Sequence, residues 1–431
     1  MKYYIIILSF FLYSCSKDEI TPIVEPINNT PTTKVNTYTI PISVPNISIN
    51  DLGNSINGSV SGTTLYSVNG VLHLIVTPTL FFSEPYIPSL HFIKKNDVWV
   101  YESSYPEGSM GCSRDSELFD NNGTIVYGDQ GLEPKGLPFT YGHIYISKTI
   151  GDKLSYKTIS NTKSFYHSIS VGDINGDNLK DIIGLSMGTY GSWDKQIHPY
   201  IQNTDGSFSE DRNIISYTNW NGNYGAGSIL IDDIFPGDGY PEIICGDYTI
   251  NEPAPSIRYS FVIFKYDIVS KKYEMISSPG VKGFATTNTG ITSMKSSDMD
   301  NDGDKDIVVA YEGSGINGIE IWYNSNNTFS PGMKFQYNIS DYQFREFDIM
   351  DIDNDKDMDI IMNPVNGTVF KNYNLKNNIL VNTSGNFSPG MDLYIPNSPT
   401  YIKGFNVNGK LIYMGIKGNM DGTIQLTEIN Y

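Results

Sequence analysis

Four segments of the chain share one pattern, in which a polar stretch rich in Asp, Asn and Gly leads directly into a short apolar run. The first Asp of each polar stretch is separated from the next by 60, 65 and 53 residues. Short apolar runs bounded by turn-forming residues predict β-strands, and a recurring period predicts a repeat architecture. The four segments are VGDINGDNLKDIIGL (171–185), IDDIFPGDGYPEIICG (231–246), SSDMDNDGDKDIVVAY (296–311) and IMDIDNDKDMDIIMN (349–363).

Each of these segments leads into a second shared element, a pair of predicted strands joined by a polar turn, so that one repeat contains four short strands. The second elements span residues 198–214, 261–276, 319–335 and 378–395. Three weaker copies extend the pattern to both sides. Residues 113–129 keep Asp115 and Asp120, whereas residues 66–76 and 405–415 keep the turn and the apolar strand without carboxylates. The chain therefore contains seven predicted repeats.

The fold class that these repeats predict is all-β, and the architecture is a β-propeller of seven four-stranded blades. A single twisted sheet of this size cannot bury both faces, whereas a ring of sheets packs each one between two neighbours. A solenoid of stacked repeats is the competing architecture. The last repeat (400–431) is short and TYTIPISVP (37–45) alternates like a strand, so the N-terminal strand is expected to complete the last blade. The propeller is predicted to span residues 37–431.

The composition is typical of a turn-rich β protein, since the 431 residues include 40 Gly, 31 Tyr and 20 Phe. Asp and Glu outnumber Lys and Arg by 47 to 29, which gives a formal charge of -18. Nucleic-acid binding depends on Lys and Arg, so no nucleic-acid partner is expected, and the charge suits divalent cations instead. Cys112 and Cys245 are the cysteines that follow Cys15, so one disulfide is possible and a disulfide framework is excluded.

Three of the polar stretches place oxygen ligands at the same positions. Counting from the first Asp, they have Asp or Asn at positions 1, 3 and 5 and Asp at position 9. Side chains at this spacing, with one backbone carbonyl, can surround a single Ca²⁺ ion. The predicted ligands are Asp173, Asn175, Asp177 and Asp181, then Asp298, Asp300, Asp302 and Asp306, then Asp351, Asp353, Asp355 and Asp359. A fourth stretch, with Asp233, Asp238 and Glu242, is a variant with an inserted residue.

Two other interpretations of the acidic stretches explain less. An EF-hand needs Glu at position 12 and flanking helices, but position 12 is Gly184, Val309 or Met362 and a strand follows. Asp, Asn and Gly are also ordinary turn formers. Turn formation explains one loop but not three with carboxylates at positions 1, 5 and 9, because acids packed so closely repel one another without a cation. Ca²⁺ is therefore the expected cofactor.

These stretches resemble the FG-GAP or VCBS repeats of integrin α-chain propellers and of many bacterial surface proteins. The resemblance covers roughly residues 110–365 and is poor at both ends. It implies a propeller in which the acidic loop joins the first and second strands of a blade and binds Ca²⁺ structurally. The resemblance implies a fold and an ion rather than one activity.

The N-terminus reads MKYYIIILSFFLYSC, in which a basic residue precedes an apolar run from Tyr3 to Tyr13. The run is too short to span a bilayer as a helix and is typical of a signal peptide. Residues 12–15 resemble a bacterial lipobox, which implies a lipoprotein signal peptide over residues 1–14 and lipidation of Cys15. A plain secretory signal with an incidental cysteine is the alternative.

The residues that follow Cys15 bear on localisation. SKDE (16–19) is similar to the acidic signals that send Bacteroidetes lipoproteins to the outer leaflet of the outer membrane. Residues 15–36 contain Pro, Thr and Asn without periodicity, which predicts a flexible tether. The expected localisation is therefore the outer membrane, where the protein is lipid-anchored and surface-exposed and contacts the membrane through its lipid alone.

Partner binding is expected on the rim opposite the acidic loops. Strands within a blade alternate in direction, so second-to-third connections and connections between blades leave on that rim. These loops are long and carry aromatic residues beside amides and acids, a combination that suits sugar rings or protein partners. The predicted ligand-binding residues are Phe139, Tyr141, Tyr190, Trp193, His198, Trp220, Tyr224 and Arg258. Each aromatic residue could instead pack beneath its own loop.

The leading hypothesis is a calcium-binding cell-surface lipoprotein whose propeller binds a glycan or an extracellular protein. The sequence contains no nucleophile elbow, phosphate loop or zinc motif, and no catalytic residue is assigned. The alternative is a polysaccharide-degrading lyase or hydrolase on a propeller scaffold, in which His198 and Asp194 could serve as acid and base. A structural component of an envelope assembly is a third hypothesis.

Overall fold

The regular elements of the described residues are β-strands, apart from one short 3-10 turn at Arg212–Ile214. The computed structural model describes residues 34–44, 60–78, 88–105, 113–131, 141–186, 196–216, 226–247, 261–277, 290–313, 316–338, 344–364, 379–389, 401–419 and 421–430. The predicted signal peptide, most of the predicted tether, Cys15 and Cys112 lie outside these residues. No helix in the described parts of the chain is long and apolar enough to cross a membrane.

The strands form seven sheets, here called blades 1 to 7, each with four antiparallel strands. Blade 1 contains β2 (Val60–Val68), β3 (Val71–Pro78), β4 (Leu90–Lys95) and β5 (Val98–Ser104). Blade 2 contains β6 (Ser113–Leu118), β7 (Thr124–Asp129), β8 (Ile144–Ile150) and β9 (Lys153–Thr158). Blade 3 contains β10 (Tyr166–Gly172), β11 (Asp181–Ser186), β12 (Ile197–Gln202) and β13 (Phe208–Glu210). Blade 4 contains β15 (Ala226–Asp232), β16 (Glu242–Asp247), β17 (Phe261–Asp267) and β18 (Lys272–Ser277), with the short β14 (Ile215–Ser216) parallel to β18.

Blades 5 to 7 complete the set. Blade 5 contains β19 (Gly290–Ser297), β20 (Asp306–Gly313), β21 (Ile316–Ser325) and β22 (Thr328–Asn338). Blade 6 contains β23 (Phe344–Met350), β24 (Asp359–Pro364), β25 (Ile379–Thr383) and β26 (Asn386–Pro389). Blade 7 contains β27 (Tyr401–Val407), β28 (Lys410–Gly418), β29 (Thr423–Asn430) and the N-terminal β1 (Lys34–Pro41).

The ring is closed by strands from both ends of the chain. β1 pairs antiparallel with β29, from Lys34 opposite Asn430 to Pro41 opposite Thr423. The first strand of each blade contacts the first strand of the next, and β27 of blade 7 contacts β2 of blade 1. The predicted seven-bladed propeller with an N-terminal closing strand is therefore confirmed, and the solenoid is excluded. The strand begins slightly before the predicted start, so residues 34–36 of the predicted tether belong to β1.

Seven hydrophobic clusters hold the ring together, one at each interface between successive blades. Between blades 5 and 6, for example, Val308 and Ile321 pack with Ile360. The second strand of a blade lies between neighbours on both faces, and β11 and β20 are buried along their whole lengths. A strand buried on both faces has a continuous apolar run rather than an alternating pattern. This explains the runs that follow the acidic stretches.

Two blades replace the acidic loop by a two-residue turn. Asn69 and Gly70 join β2 to β3 with φ of 51° and 80°. Asn408 and Gly409 join β27 to β28 with φ of 55° and 75°. Positive φ at both central residues is the signature of a type I′ hairpin turn, which favours Asn-Gly. The weak repeats at both ends of the chain are therefore complete blades without room for a metal loop.

A buried polar contact crosses the interface where the ring closes. Glu428 on β29 is 0% exposed, and its Oε2 accepts a hydrogen bond from Trp99 Nε1 at 2.6 Å. Its Oε1 lies 2.7 Å from Lys94 Nζ. Lys94 and Trp99 belong to blade 1, so this carboxylate joins the first and last blades.

A pair of buried histidines makes blade 1 sensitive to acid. His73 Nδ1 and His91 Nε2 are 3.0 Å apart in hydrogen-bond contact, and the two side chains are buried, at 2% and 0% exposure. Burial lowers the pKa of His91 to about 3 and also lowers the pKa of His73. Because the pKa of a histidine in the unfolded chain is about 6.5, the unfolded state binds more protons than the folded state between that pH and the lowered pKa values. Folding stability therefore falls as pH decreases through this range.

The expected result is that His91→Asn reduces the loss of stability between pH 7 and pH 5 by about 2 kcal/mol, because the neutral imidazole of His91 is removed while that of His73 remains. Urea unfolding of the wild type and the variant at both pH values measures this difference. Because each protein is compared with itself at the two pH values, the pH-independent effect of the substitution on stability cancels. Equal losses in the two proteins would show that another group controls the acid response.

Candidate metal centres

The acidic loops join the first and second strands of their blades. They connect β10 to β11, β15 to β16, β19 to β20 and β23 to β24. All four therefore lie on one rim of the propeller, because the connected strands occupy the same place in each blade. This is the position implied by the family resemblance.

Three of the loops follow the same backbone path. In each, the residues at positions 4 and 6 are left-handed, a conformation that Gly and Asn tolerate best. These residues are Gly176 and Asn178 (φ 79° and 66°), Asn301 and Gly303 (63° and 97°), and Asn354 and Lys356 (65° and 80°). In the fourth loop the left-handed residues are Gly237 and Gly239 (126° and 84°), one position later. The inserted residue predicted for that loop therefore shifts its path.

The carboxylate at position 9 anchors each regular loop. Asp181, Asp306 and Asp359 are fully buried at the start of the second strand. One oxygen accepts the backbone N–H of position 2 and the other accepts an N–H from the third strand. The donors are Ile174 at 3.0 Å and Gln202 at 2.8 Å, Met299 at 2.7 Å and Asn324 at 2.8 Å, and Ile352 at 2.7 Å and Asn382 at 2.8 Å.

In blades 5 and 6 the carboxylates at positions 1, 3 and 9 meet. Asp298, Asp300 and Asp306 each contribute an oxygen to a group whose members lie within 4.8 Å of one another, as do Asp351, Asp353 and Asp359. Such a group offers the hard oxygen ligands that Ca²⁺ takes. The predicted ligands at position 5, Asp302 and Asp355, lie outside both groups. Their Oδ1 atoms each accept the N–H two residues further along the chain, at 2.9 Å.

Two features indicate that the carboxylates of the blade 5 group lack a neutralising positive charge. Asp298 Oδ1 is buried and accepts no hydrogen bond from the described residues. Burial, together with the charges of Asp300 and Asp298, raises the pKa of Asp306 to about 7. A buried oxygen without a donor is costly, and clustered carboxylates favour a cation. A cation at this place would offset both costs.

The loop of blade 3 has the same path with a different ligand set. Asp173 Oδ1 accepts the N–H of Gly176 at 2.7 Å, and its Oδ2 accepts the N–H of Asn178 at 2.7 Å. Position 3 is Asn175, whose Nδ2 donates to Asp177 Oδ2 at 3.0 Å. This loop offers one amide oxygen in place of a carboxylate, so its ligand set carries less negative charge than those of the other two loops.

The loops of blades 5 and 6 are linked through Asn382. Its Nδ2 donates to the carbonyl of Met299 at 2.9 Å in the blade 5 loop and to the carbonyl of Met358 at 3.2 Å in the blade 6 loop. Its backbone N–H is the donor to Asp359. One buried side chain therefore fixes the spacing of two neighbouring loops. The sequence marks Asn382 only as part of a polar turn.

Blade 2 does not contain an acidic loop of this kind. Asp115 lies within β6, and its Oδ2 accepts hydrogen bonds from Ser168 Oγ at 2.9 Å and from the N–H of Ile169 at 3.0 Å in blade 3. Asp120 caps its own turn by accepting the N–H groups of Asn122 and Thr124. The two acids therefore serve separate structural roles, and Asp115 is hydrogen-bonded to β10, the first strand of the next blade.

The predicted ligand rim is only partly described. Tyr141, between β7 and β8, is 41% exposed, as expected for a rim residue. Phe139, Tyr190, Trp193, Trp220, Tyr224 and Arg258 lie outside the described residues. His198 is placed differently from its predicted loop, since it lies in β12 and is 2% exposed.

His198 is held by its own blade. Its Nδ1 lies 3.1 Å from Glu210 Oε1 and 2.7 Å from Arg212 Nη2. The first pair joins the third strand of the blade to the fourth, and both partners fix the imidazole within blade 3. The structure therefore places the imidazole inside the sheet of blade 3 rather than on an exposed rim loop, where it was predicted. Cys245, on β16, is a free buried thiol.

Fold and loops together define a seven-bladed propeller with acidic loops on one rim. Residues 298–362, which run from the blade 5 loop into β24, match the model of the FG-GAP-like repeat family. The resemblance predicted from the acidic stretches is confirmed over this segment. No curated protein matches the chain.

Several solved structures are similar to this chain at low sequence identity. A protein from Lactobacillus plantarum is 12% identical over 77% of this chain and 84% of that chain, with a TM-score of 0.45. The putative exo-β-1,3-galactanase from Bifidobacterium bifidum s17 is 11% identical over 63% of this chain and 91% of that chain, with a TM-score of 0.38. The SapL1 lectin, solved with α-methyl fucoside, is 8% identical over 80% and 99%, with a TM-score of 0.43. Likenesses this distant carry no argument about what the chain binds.

Proposed function

We propose that this protein is a calcium-binding β-propeller whose regular acidic loops each hold one Ca²⁺ ion, in blades 3, 5 and 6. The observation that carries the proposal is the meeting of three carboxylates at each of the loops of blades 5 and 6, within 4.8 Å. Backbone hydrogen bonds already fix the closing Asp of every regular loop, so the ion fills a prepared site rather than folding it. The metal stiffens the blades and leaves the opposite rim for recognition.

Calorimetric titration of the metal-free full chain with Ca²⁺ tests this proposal. Three equivalents are expected, and Asp300→Asn should weaken one of them by on the order of tenfold or more, because ligand charge sets calcium affinity. Asp304→Asn is the matched control, since Asp304 lies in the same loop outside the carboxylate group and its Oδ2 accepts the N–H of Asn326 at 2.8 Å. Absence of binding heat and of competition with a chelating dye would refute the proposal.

For recognition, we propose that the rim opposite the calcium loops binds a glycan or an extracellular protein. The proposal is supported by the aromatic content of those loops and by the exposure of Tyr141. A glycan array followed by product analysis of each hit is the test, with Trp220→Ala and Tyr141→Ala expected to lose binding. Turnover of a hit would favour the polysaccharide-degrading enzyme. Binding to no glycan, together with co-purification of an envelope partner, would favour a protein ligand or a structural component.

We also propose that a lipid on Cys15 holds the propeller on the outer membrane surface. The support is the lipobox-like sequence that ends at Cys15 and the polar segment that follows it. In a Gram-negative host, Cys15→Ala should abolish labelling by a fatty-acid analogue and release the protein from the membrane fraction. Surface proteolysis of intact cells tests the orientation. A wild-type protein without label would show that residues 1–14 are a plain secretory signal.

A further inference from the structure

The blade 4 loop has acidic residues but differs from the calcium loops in its contacts. Asp233 is exposed, whereas Glu242 at the start of β16 is 0% exposed. Glu242 Oε2 accepts the N–H groups of Ile234 at 3.0 Å and Phe235 at 3.1 Å. Its Oε1 accepts no hydrogen bond from the described residues. A buried carboxylate oxygen in this state needs a positive charge nearby.

The positive charge is supplied by Lys265 on β17. Its Nζ lies 2.9 Å from Asp238 Oδ2 and 3.5 Å from Glu242 Oε1. It also lies 5.3 Å from the centre of the Phe235 ring, within the range of a cation–π contact. The ammonium group therefore lies beside two of the three predicted calcium ligands of this loop, Asp238 and Glu242, and beside the ring of Phe235.

No comparable cation occupies this place in the calcium loops. Lys265 follows Phe264, which pairs with Ile243, so it stands beside Glu242. The residues at the same register, beside the closing Asp of blades 3, 5 and 6, are Ile201, Tyr323 and Val381. Each is uncharged. A lysine at this register is a feature of blade 4 among these four blades.

We propose that the Lys265 ammonium takes the place of the metal ion in the blade 4 loop, so that this blade is stabilised without calcium. The proposal rests on calcium binding by the regular loops only for the comparison. The charge of Lys265 comes from the neighbouring strand rather than from an ion in solvent. The longer side chain of Glu242 and the shifted path of the loop are compatible with this position. The chain then has three metal-dependent blades beside one with a built-in cation.

Removal of the ammonium should convert the loop into a calcium site. In Lys265→Met, we expect calorimetry to detect one more equivalent of Ca²⁺ than in the wild type. In EDTA, the variant should melt at a lower temperature than the wild type, and Ca²⁺ should restore more of its stability. The matched control is Lys272→Met, which removes an exposed lysine from β18 of the same blade and should change neither the stoichiometry nor the response to EDTA.

Each result decides the proposal. An additional equivalent in Lys265→Met, or a drop in EDTA that Lys272→Met does not share, supports it. Four equivalents in the wild type, or identical behaviour of the two lysine variants, overturns it. A wild type that binds no Ca²⁺ refutes the proposed function. In that case the melting temperatures of Lys265→Met and Lys272→Met in EDTA still test whether Lys265 stabilises the blade 4 loop. If Lys265→Met does not fold, Lys265→Gln, which keeps the length of the side chain, is compared in the same way.

Discussion

Chelation of calcium is expected to lower the melting temperature of the protein by about 10 °C. A ligand bound only by the native state stabilises it by about 2.7 kcal/mol when its free concentration is 100-fold above its dissociation constant, which gives about 8 kcal/mol for three sites. An unfolding entropy of about 2 cal/mol/K per residue converts this free energy into that shift for a propeller of this size. The loss arises because Asp306 and Asp359 remain buried beside other carboxylates without a cation.

Thermal unfolding followed by circular dichroism, with calcium and with EDTA, measures this effect. Readdition of Ca²⁺ should restore the melting temperature, whereas Mg²⁺ at the same concentration should restore less, because it demands a stricter octahedral geometry. The double variant Asp300→Asn, Asp353→Asn should show a smaller difference between the two conditions than the wild type. Identical melting curves with and without EDTA would contradict a structural role for calcium.

Glu428→Ala is expected to destabilise the propeller by about 3–5 kcal/mol, the range measured when one partner of a buried ion pair is removed. The substitution leaves Lys94 Nζ and Trp99 Nε1 without the carboxylate that lies 2.7 Å and 2.6 Å from them. Both donors lie at the interface between blades 1 and 7, so the loss falls on the closure of the ring. Urea unfolding monitored by tryptophan fluorescence measures it directly, since Trp99 is one of the groups affected.

Two variants separate closure from a general loss of charge. Glu102→Ala removes a carboxylate that lies 3.0 Å from Lys95 at the surface of blade 1, and it should cost less than about 1 kcal/mol because exposed ion pairs contribute little. Glu428→Gln keeps the shape and an oxygen acceptor, so its cost should fall between the two. A Glu428→Ala variant as stable as Glu102→Ala would show that hydrophobic packing alone closes the ring.

Much of the fold could be predicted because its information is local and repeated. The acidic stretches and the apolar runs after them mark the first connection and the second strand of a blade. Asn69-Gly70 and Asn408-Gly409 mark the same connection in its shortest form, since this dipeptide favours the hairpin turn. The short last repeat and the alternation in residues 37–45 together predicted that the N-terminus completes the last blade. Because the pattern is repeated, the weak repeats could be identified by comparison with the four clear ones.

Side-chain partners between strands could not be predicted in this way. His198 follows an apolar residue and precedes Pro199, and nothing local shows that Glu210 and Arg212 hold it inside blade 3. Asp115 has the spacing of a loop acid, yet the register of β6 places it against the next blade. In the sequence, Lys265 has the pattern of an ordinary strand residue. Only the pairing of β16 with β17 shows that it lies beside Glu242.

The sequence by itself determined the repeat number, the strand pattern and the positions of the acidic loops, because these depend on residues close together in the chain. It also placed three carboxylate-rich loops at one position in the repeat. Only the tertiary structure decided which charges meet, since those contacts depend on strand register and on packing between blades. The acids at positions 1, 3 and 9 come together in blades 5 and 6, whereas in blade 4 a lysine from the third strand forms ion pairs with the acids of the loop.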